Sequence, residues 1–252
     1  MTSFAVRPGA EPLSHAGSDI GVLVLHGFTG SPQTMRPLAE GLAAAGFSVE
    51  MPRLPGHGTD IEDMLATTFA DYAAAVEASY ADLAARTSKV VVAGLSMGGT
   101  LTAWVTARHP ETAGAVLINA AASPMDPALV QMVKDMIAAG ETVAPGVGSD
   151  IADPDASEDA YEDSPLGPLA SLMEALDELQ AELPKITCPV LIMTSPEDHV
   201  VDPSSSDHLA GAVSGPVERV TLSRSYHVAT LDYDRQLIID ATIDFVRKVT
   251  AG

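Results

Sequence analysis

A short apolar run, Lys89-Val90-Val91-Val92-Ala93, leads directly into Gly94-Leu95-Ser96-Met97-Gly98, and no other stretch restricts the fold of this chain as much. A β-branched run bounded by glycine reads as a buried strand. The G-x-S-x-G form that follows is that of a nucleophile elbow. The turn is so sharp that the serine backbone is strained, and its neighbours must be glycine to clear space. Gly99-Thr100-Leu101-Thr102-Ala103-Trp104-Val105 then reads as a helix with its N-terminus at the serine. Free backbone N–H groups there can receive a developing negative oxygen. Strand, elbow and helix stand in register, which an incidental glycine-rich turn would not require.

Further apolar runs repeat the pattern. Ile20-Gly21-Val22-Leu23-Val24-Leu25 ends in His26-Gly27-Phe28-Thr29-Gly30, and Val190-Leu191-Ile192-Met193 ends in Thr194-Ser195-Pro196-Glu197-Asp198. Val217-Glu218-Arg219-Val220-Thr221-Leu222 ends in Ser223-Arg224-Ser225-Tyr226-His227. A serine, an acid and a histidine thus each lie just past the C-terminal end of a predicted strand, the edge where open α/β sheets bind ligands. Strands are also predicted at 47–51 and 113–118, with helices at 37–45 and 71–85. This βαβ rhythm predicts a mainly parallel sheet covered by helices on both faces.

The rhythm breaks over residues 123–183, where two amphipathic helical stripes flank a Pro/Gly/Asp-rich middle. Leu129, Met132, Val133, Met136 and Ile137 share one face of the first, and Leu169, Leu172, Met173, Leu176 and Leu179 one face of the second. The chain therefore divides into a core, residues 1–122 and 184–252, and a small inserted cap, residues 123–183. Stripes of this kind either pack on the sheet or cover the elbow. Met125, Met132, Met136 and Met173 favour a wall adaptable to acyl chains.

Composition narrows the function. A chain of 252 residues, 46% hydrophobic, can bury one sizeable core. No apolar run approaches the roughly 18 residues of a membrane span, and no secretory leader pattern precedes Ile20. A single cysteine, Cys188, permits no internal disulfide and fits the cytoplasm. Thirty-four acidic against thirteen basic residues, a formal charge of −21, argue against nucleic acid and anionic membrane surfaces as partners. That charge reads as a solubilising surface or as adaptation to salt. No metal is expected, since His26 and His57 lack partners at ligand spacing and the acidic clusters have no EF-hand form. No glycine-rich phosphate or dinucleotide loop appears, so no cofactor is expected either.

Ser96 needs a base beside it to be nucleophilic. Of seven histidines, His227 alone sits in a loop after the last strand, downstream of both the serine and an acid. His15 lies in the N-terminal tail, His109 ends a helix and His208 falls on a polar one. His26 and His57 read as loop architecture, and His199 as exposed. For the acid that orients the imidazole, Asp198 is preferred to Glu197, which points the other way, and to Asp202, which fits the cap of the next helix. The backbone N–H of Met97, next after the nucleophile, is one oxyanion donor.

His26-Gly27-Phe28-Thr29-Gly30, Gly56-His57-Gly58, Gly94-Leu95-Ser96-Met97-Gly98-Gly99, Asp198-His199-Val200-Val201 and Ser225-Tyr226-His227-Val228 together resemble the bacterial carboxylesterase and monoacylglycerol lipase branch of the α/β-hydrolase superfamily. The likeness runs from near residue 20 to near residue 232 and is looser over the cap. It implies an α/β-hydrolase fold and a serine hydrolase that cleaves carboxylic esters through an acyl-enzyme on Ser96. Monoacylglycerols lead as substrates; short- and medium-chain esters and thioesters are the alternatives. From another class, a non-catalytic binding protein on the same scaffold is the rival. By the same resemblance, the backbone N–H of Phe28 is the second oxyanion donor. Glu162, in Ala160-Tyr161-Glu162-Asp163-Ser164-Pro165, is the carboxylate that reads the glycerol hydroxyls, and Ile151 an apolar cap contact. The expected partner is a small ester, met by a monomer or homodimer.

Overall fold

The computed structural model describes residues 4–251. In chain order the first half holds β1 (Leu13–His15), β2 (Ile20–Leu25), α1 (Pro32–Ala44), β3 (Ser48–Met51), α2 (Ile61–Met64), α3 (Phe69–Ala84), β4 (Lys89–Leu95), α4 (Met97–Arg108) and β5 (Gly114–Ile118). The second half adds α5 (Pro127–Ala138), β6 (Val143–Pro145), β7 (Asp163–Pro165), α6 (Leu166–Leu179), β8 (Val190–Thr194), α7 (Ser204–Ala212), β9 (Val217–Thr221) and α8 (Arg235–Thr250). Seven strands form one sheet in the order β1-β3-β2-β4-β5-β8-β9. Every pairing in it is parallel except β1 with β3.

Alternation along the strands builds two core layers. Val22 and Val24 of β2, Val91, Ala93 and Leu95 of β4, and Val116 and Ile118 of β5 face one way, against Met35, Leu38 and Leu42 of α1 and Ile238 and Phe245 of α8. Leu23, Leu25, Val90 and Val92 face the other way, against Tyr72, Val76 and Tyr80 of α3 and Leu101 and Val105 of α4. With both faces covered, β5 is buried along its length, as a central parallel strand must be.

Strand order places the site. The chain steps outward from β2 to β3, returns across it to β4, then proceeds to β5, β8 and β9. The order reverses between β2 and β4, and loops leaving the C-terminal ends of strands on either side of such a switch open a crevice. The loop at Gly27-Phe28 and the turn at Ser96 leave from those two strands.

Three local features differ from the sequence expectation. α1 begins at Pro32 rather than Pro37, because Ser31 caps it, accepting the Gln33 N–H, and Pro32 takes the first turn. β1, which carries His15, and the antiparallel pair of β6 with β7 are additional. Each of these strands is three residues long and carries no apolar alternation. The second cap stripe is split. Leu172 and Leu176 of α6 join the core beside Phe69 and Tyr72, whereas Met173 packs with Val133 and Leu166 between α6 and α5.

Candidate active site

At the end of β4, Ser96 adopts φ 56° and ψ −121°. A non-glycine residue there carries roughly 1–3 kcal/mol of backbone strain, which the surroundings must over-determine. They do. The Ser96 N–H donates to Ile118 O at 3.0 Å, and its carbonyl accepts from the N–H groups of Gly99 and Thr100 at 2.9 and 3.1 Å. The flanking glycines are there for space. A Cβ on Gly94 would collide with the carbonyl of Gly98, and one on Gly98 with the carbonyls of Leu25 and His26. Met97 opens α4, so its N–H belongs to the first turn, which has no intrahelical acceptor. Gly27 lies against the nucleophile: a Cβ on it would sit 3.4 Å from Ser96 Cβ.

The structure brings Asp198 and His227 together. Asp198 Oδ2 accepts from His227 Nδ1 at 2.8 Å, with side chains only 2% and 8% exposed respectively. Asp198 Oδ1 accepts the N–H groups of Val200 and Val201 at 2.9 and 2.8 Å, so the carboxylate cannot swing. An ionised carboxylate only accepts, so Nδ1 carries the proton and Nε2 is left as an acceptor. Ser96 and His227 line the same cavity, of about 110 Å3. Glu197 is exposed, and Asp202 accepts the Ser204 N–H just ahead of α7, whose N-cap is Pro203, so neither rival meets the imidazole. His26 is fully buried: Nε2 accepts the Leu54 N–H and Nδ1 lies 3.0 Å from Gly27 O, which shapes the loop carrying Phe28.

One organiser of this centre was not singled out from sequence. Asn119, at the end of β5 with φ 42°, is 3% exposed. Its Nδ2 donates to His227 O at 2.8 Å and its Oδ1 accepts the Ser195 N–H at 2.8 Å. One side chain therefore ties the acid-bearing strand to the histidine loop. An asparagine after a strand reads as an ordinary turn residue, and only the neighbour relation of β5 and β8 gives it this role.

The cap residues fall differently from the expectation. Met132 is 52% exposed and, with Met136, lines a shallow groove on the outside of α5, away from Ser96. Met173 is buried between α5 and α6. Glu162 is exposed, and Ile151, half-buried, packs against the core layer that α1 and α8 cover. None of these side chains lines the cavity at Ser96. Serine in place of Met132 is accordingly expected to leave the acyl-length optimum unchanged across a nitrophenyl ester series. A shift of that optimum would mean that α5 folds over the cavity during turnover.

Two carboxylates from the 123–183 segment do line the cavity, Asp150 and Glu158, and Glu158 is the one turned towards Gly30. Its Oε1 occupies space that Gly30 leaves free, 3.2 Å from where a Cβ on Gly30 would stand. Burial pushes its pKa up to about 7, against the pull of His227 and with a smaller push from Asp159. Tyr161 fixes this segment: its hydroxyl donates to Gly56 O at 2.7 Å and its N–H donates to Thr29 O at 3.1 Å. It is the one aromatic residue between 123 and 183, and that was the signal available in the sequence. Among the described residues no group of three His, Cys, Asp or Glu is arranged to hold a metal ion, and no helix is long and apolar enough to cross a membrane.

Known proteins are similar to this chain over nearly its whole length. It is 45% identical over 248 residues to a thermostable monoacylglycerol lipase of Bacillus sp. strain H-257, covering 97% of each chain. A solved structure from the metagenome-derived lipolytic enzymes LipS and LipT superposes with a TM-score of 0.92 at 43% identity, over 97% of this chain and 100% of that one. The monoacylglycerol lipase of Paleococcus ferrophilus, at 16% identity and a TM-score of 0.79 over 95% and 98% of the two chains, shares the fold. The family model described as serine aminopeptidase, S33, matches residues 18–234, from the lead-in to β2 to the cap of α8, and the chain belongs to that family, in its bacterial monoacylglycerol lipase and esterase branch.

Proposed function

We propose that this protein hydrolyses monoacylglycerols to a fatty acid and glycerol, through an acyl-enzyme on Ser96. The observation that carries the chemistry is the 2.8 Å bond from His227 Nδ1 to the buried Asp198 carboxylate, at the wall of the cavity that holds Ser96. Ser96 Oγ attacks the ester carbonyl while His227 Nε2 takes its proton. Asp198 holds the tautomer and stabilises the imidazolium that forms. The oxyanion of the tetrahedral intermediate receives the backbone N–H groups of Met97 and Phe28, each worth roughly 3 kcal/mol of barrier. Collapse expels glycerol, which takes the proton from His227. Water, deprotonated by the same Nε2, then attacks the acyl-enzyme and releases the acid.

Glu158 supports glycerol as the leaving group. Two free hydroxyls are donors, and a carboxylate that accepts both forms the stronger, charge-assisted kind of hydrogen bond. Its burial beside the elbow gives it the place that sequence reasoning assigned to Glu162. With its pKa near 7, the carboxyl is neutral below that pH and charged above it. The preference for a 1-monoacylglycerol over a nitrophenyl ester of the same acyl chain should therefore grow as pH rises through about 7. Glu158→Gln should lower kcat/KM for the monoacylglycerol roughly tenfold, spare the nitrophenyl ester, and flatten that pH trend. Equal loss on both substrates would remove Glu158 from glycerol reading and leave a general carboxylesterase. The cytoplasm is the inferred compartment, since a single cysteine offers an oxidising one no internal disulfide to form.

A further inference from the structure

Every polar group of the His227 main chain is held, and one of the holders comes from the cap. Asp150 belongs to the cap segment, and its side chain is 13% exposed. Its Oδ2 accepts the N–H of His227 at 3.0 Å and the N–H of His199 at 3.1 Å. Its Oδ1 lies 2.8 Å from the ring Nδ1 of His199. Its own carbonyl accepts the Val228 N–H at 3.0 Å. One carboxylate oxygen thus bridges the base itself and the residue that directly follows the acid.

The histidine loop returns the contact. Asp232, 3% exposed, accepts the N–H groups of Ala152 and Asp153 from the cap at 2.8 and 3.1 Å. It also accepts those of Tyr226 and Tyr233 from its own loop at 2.9 and 2.8 Å. Two carboxylates from separate stretches of chain therefore cross-tie residues 150–153 to residues 226–233.

We propose that Asp150 is a positioning residue of the triad: its Oδ2 sets the distance between the loop carrying Asp198 and the loop carrying His227. The inference rests on the serine-hydrolase mechanism proposed above. It does not require a glycerol substrate. Burial works to raise the Asp150 pKa, but the hydrogen bonds from His199 and His227 prevail and hold it below the usual carboxylate value. The tie therefore persists at neutral pH. Removing it frees the backbone N–H of His227, and a misplacement of the base by about 1 Å can cost on the order of a hundredfold in rate.

The geometry also predicts which substitution rescues. Asparagine can place its carbonyl oxygen where Oδ2 stands and keep both backbone bonds, whereas alanine keeps neither. In Asp150→Ala, kcat for nitrophenyl acetate, counted per site titrated with a fluorophosphonate, should fall 10- to 100-fold with KM within about twofold. In Asp150→Asn it should stay within about threefold of the wild type. The downfield proton resonance of the His227–Asp198 bond should broaden or vanish in the alanine variant and survive in the asparagine one. The proposal falls if Asp150→Ala keeps wild-type kcat per titrated site, or if Asp150→Asn loses as much as Asp150→Ala. It also falls if the alanine variant does not fold, since that makes Asp150 a determinant of folding. A wild type that cleaves nitrophenyl acetate but no monoacylglycerol refutes the glycerol assignment and leaves the Asp150 comparison in force.

Discussion

Ser96→Ala is expected to lower hydrolysis of every ester substrate by about 10,000-fold or more, with an unfolding temperature within a few degrees of the wild type. The Ser96 hydroxyl stands at the elbow in the cavity that His227 lines, and His227 with Asp198 loses the group it activates once that hydroxyl is gone. What survives is catalysis from the oxyanion donors and from binding, which in triad enzymes still exceeds the reaction in water. Stability should hold because alanine faces the same φ of 56° as serine and the backbone bonds at that position remain. A fluorophosphonate should label the wild type once per chain and leave the variant untouched. Turnover above about 1% of the wild-type rate in Ser96→Ala would overturn the assignment of the nucleophile. Loss of labelling with activity retained would point to another nucleophile in the same cavity.

The parts of this molecule that were legible in its sequence share one physical property. Ser96, Asp198 and the loop that carries Phe28 each follow a run of apolar residues, and a buried parallel strand has few ways to be written other than such a run. His227 follows the edge strand β9, whose valines alternate less clearly with charged and polar residues. The sheet edge then gathers whatever follows those runs. The parts that were not legible depend on packing between segments far apart in sequence. β1 is a three-residue antiparallel edge strand, and β6 and β7 are three-residue strands with no tight turn between them. Neither kind leaves a periodic trace. Glu158 is one acid among thirty-four, and it differs from Glu162 only because Tyr161 docks on Gly56 and Thr29 and draws the preceding residues over the elbow. Asn119 and Asp150 do their work through backbone N–H and C=O groups, which carry no residue identity that a sequence could reveal. The methionine stripe misled for a related reason: an apolar face records that something covers it, not which way the cavity lies.

Gly98→Ala tests how tightly the fold and the site are one construction. The added Cβ would meet the carbonyls of Leu25 and His26. Those are backbone atoms at the end of β2, where the loop carrying Phe28 begins, so no side chain can rotate away. Either α4 or that loop must move. Overpacking of this kind costs about 3 kcal/mol or more when backbone has to give. For a domain of this size that is a fall of roughly 6–12 °C in Tm. The displacement falls where α4, opened by Met97, meets the end of β2 that leads to Phe28. With the Met97 and Phe28 N–H groups as the proposed oxyanion donors, kcat should drop on the order of a hundredfold even well below Tm. Gly46→Ala is the control. Gly46 has φ 94° with open space around it, so alanine there meets strain without collision. It should lower stability by about 1–2 kcal/mol and leave kcat unchanged, because Gly46 lies at the opposite end of the strands from Ser96. A Gly98→Ala enzyme with wild-type kcat would show that the two oxyanion donors are not held by the contact between α4 and the end of β2, and the site would then owe its geometry to the loops alone.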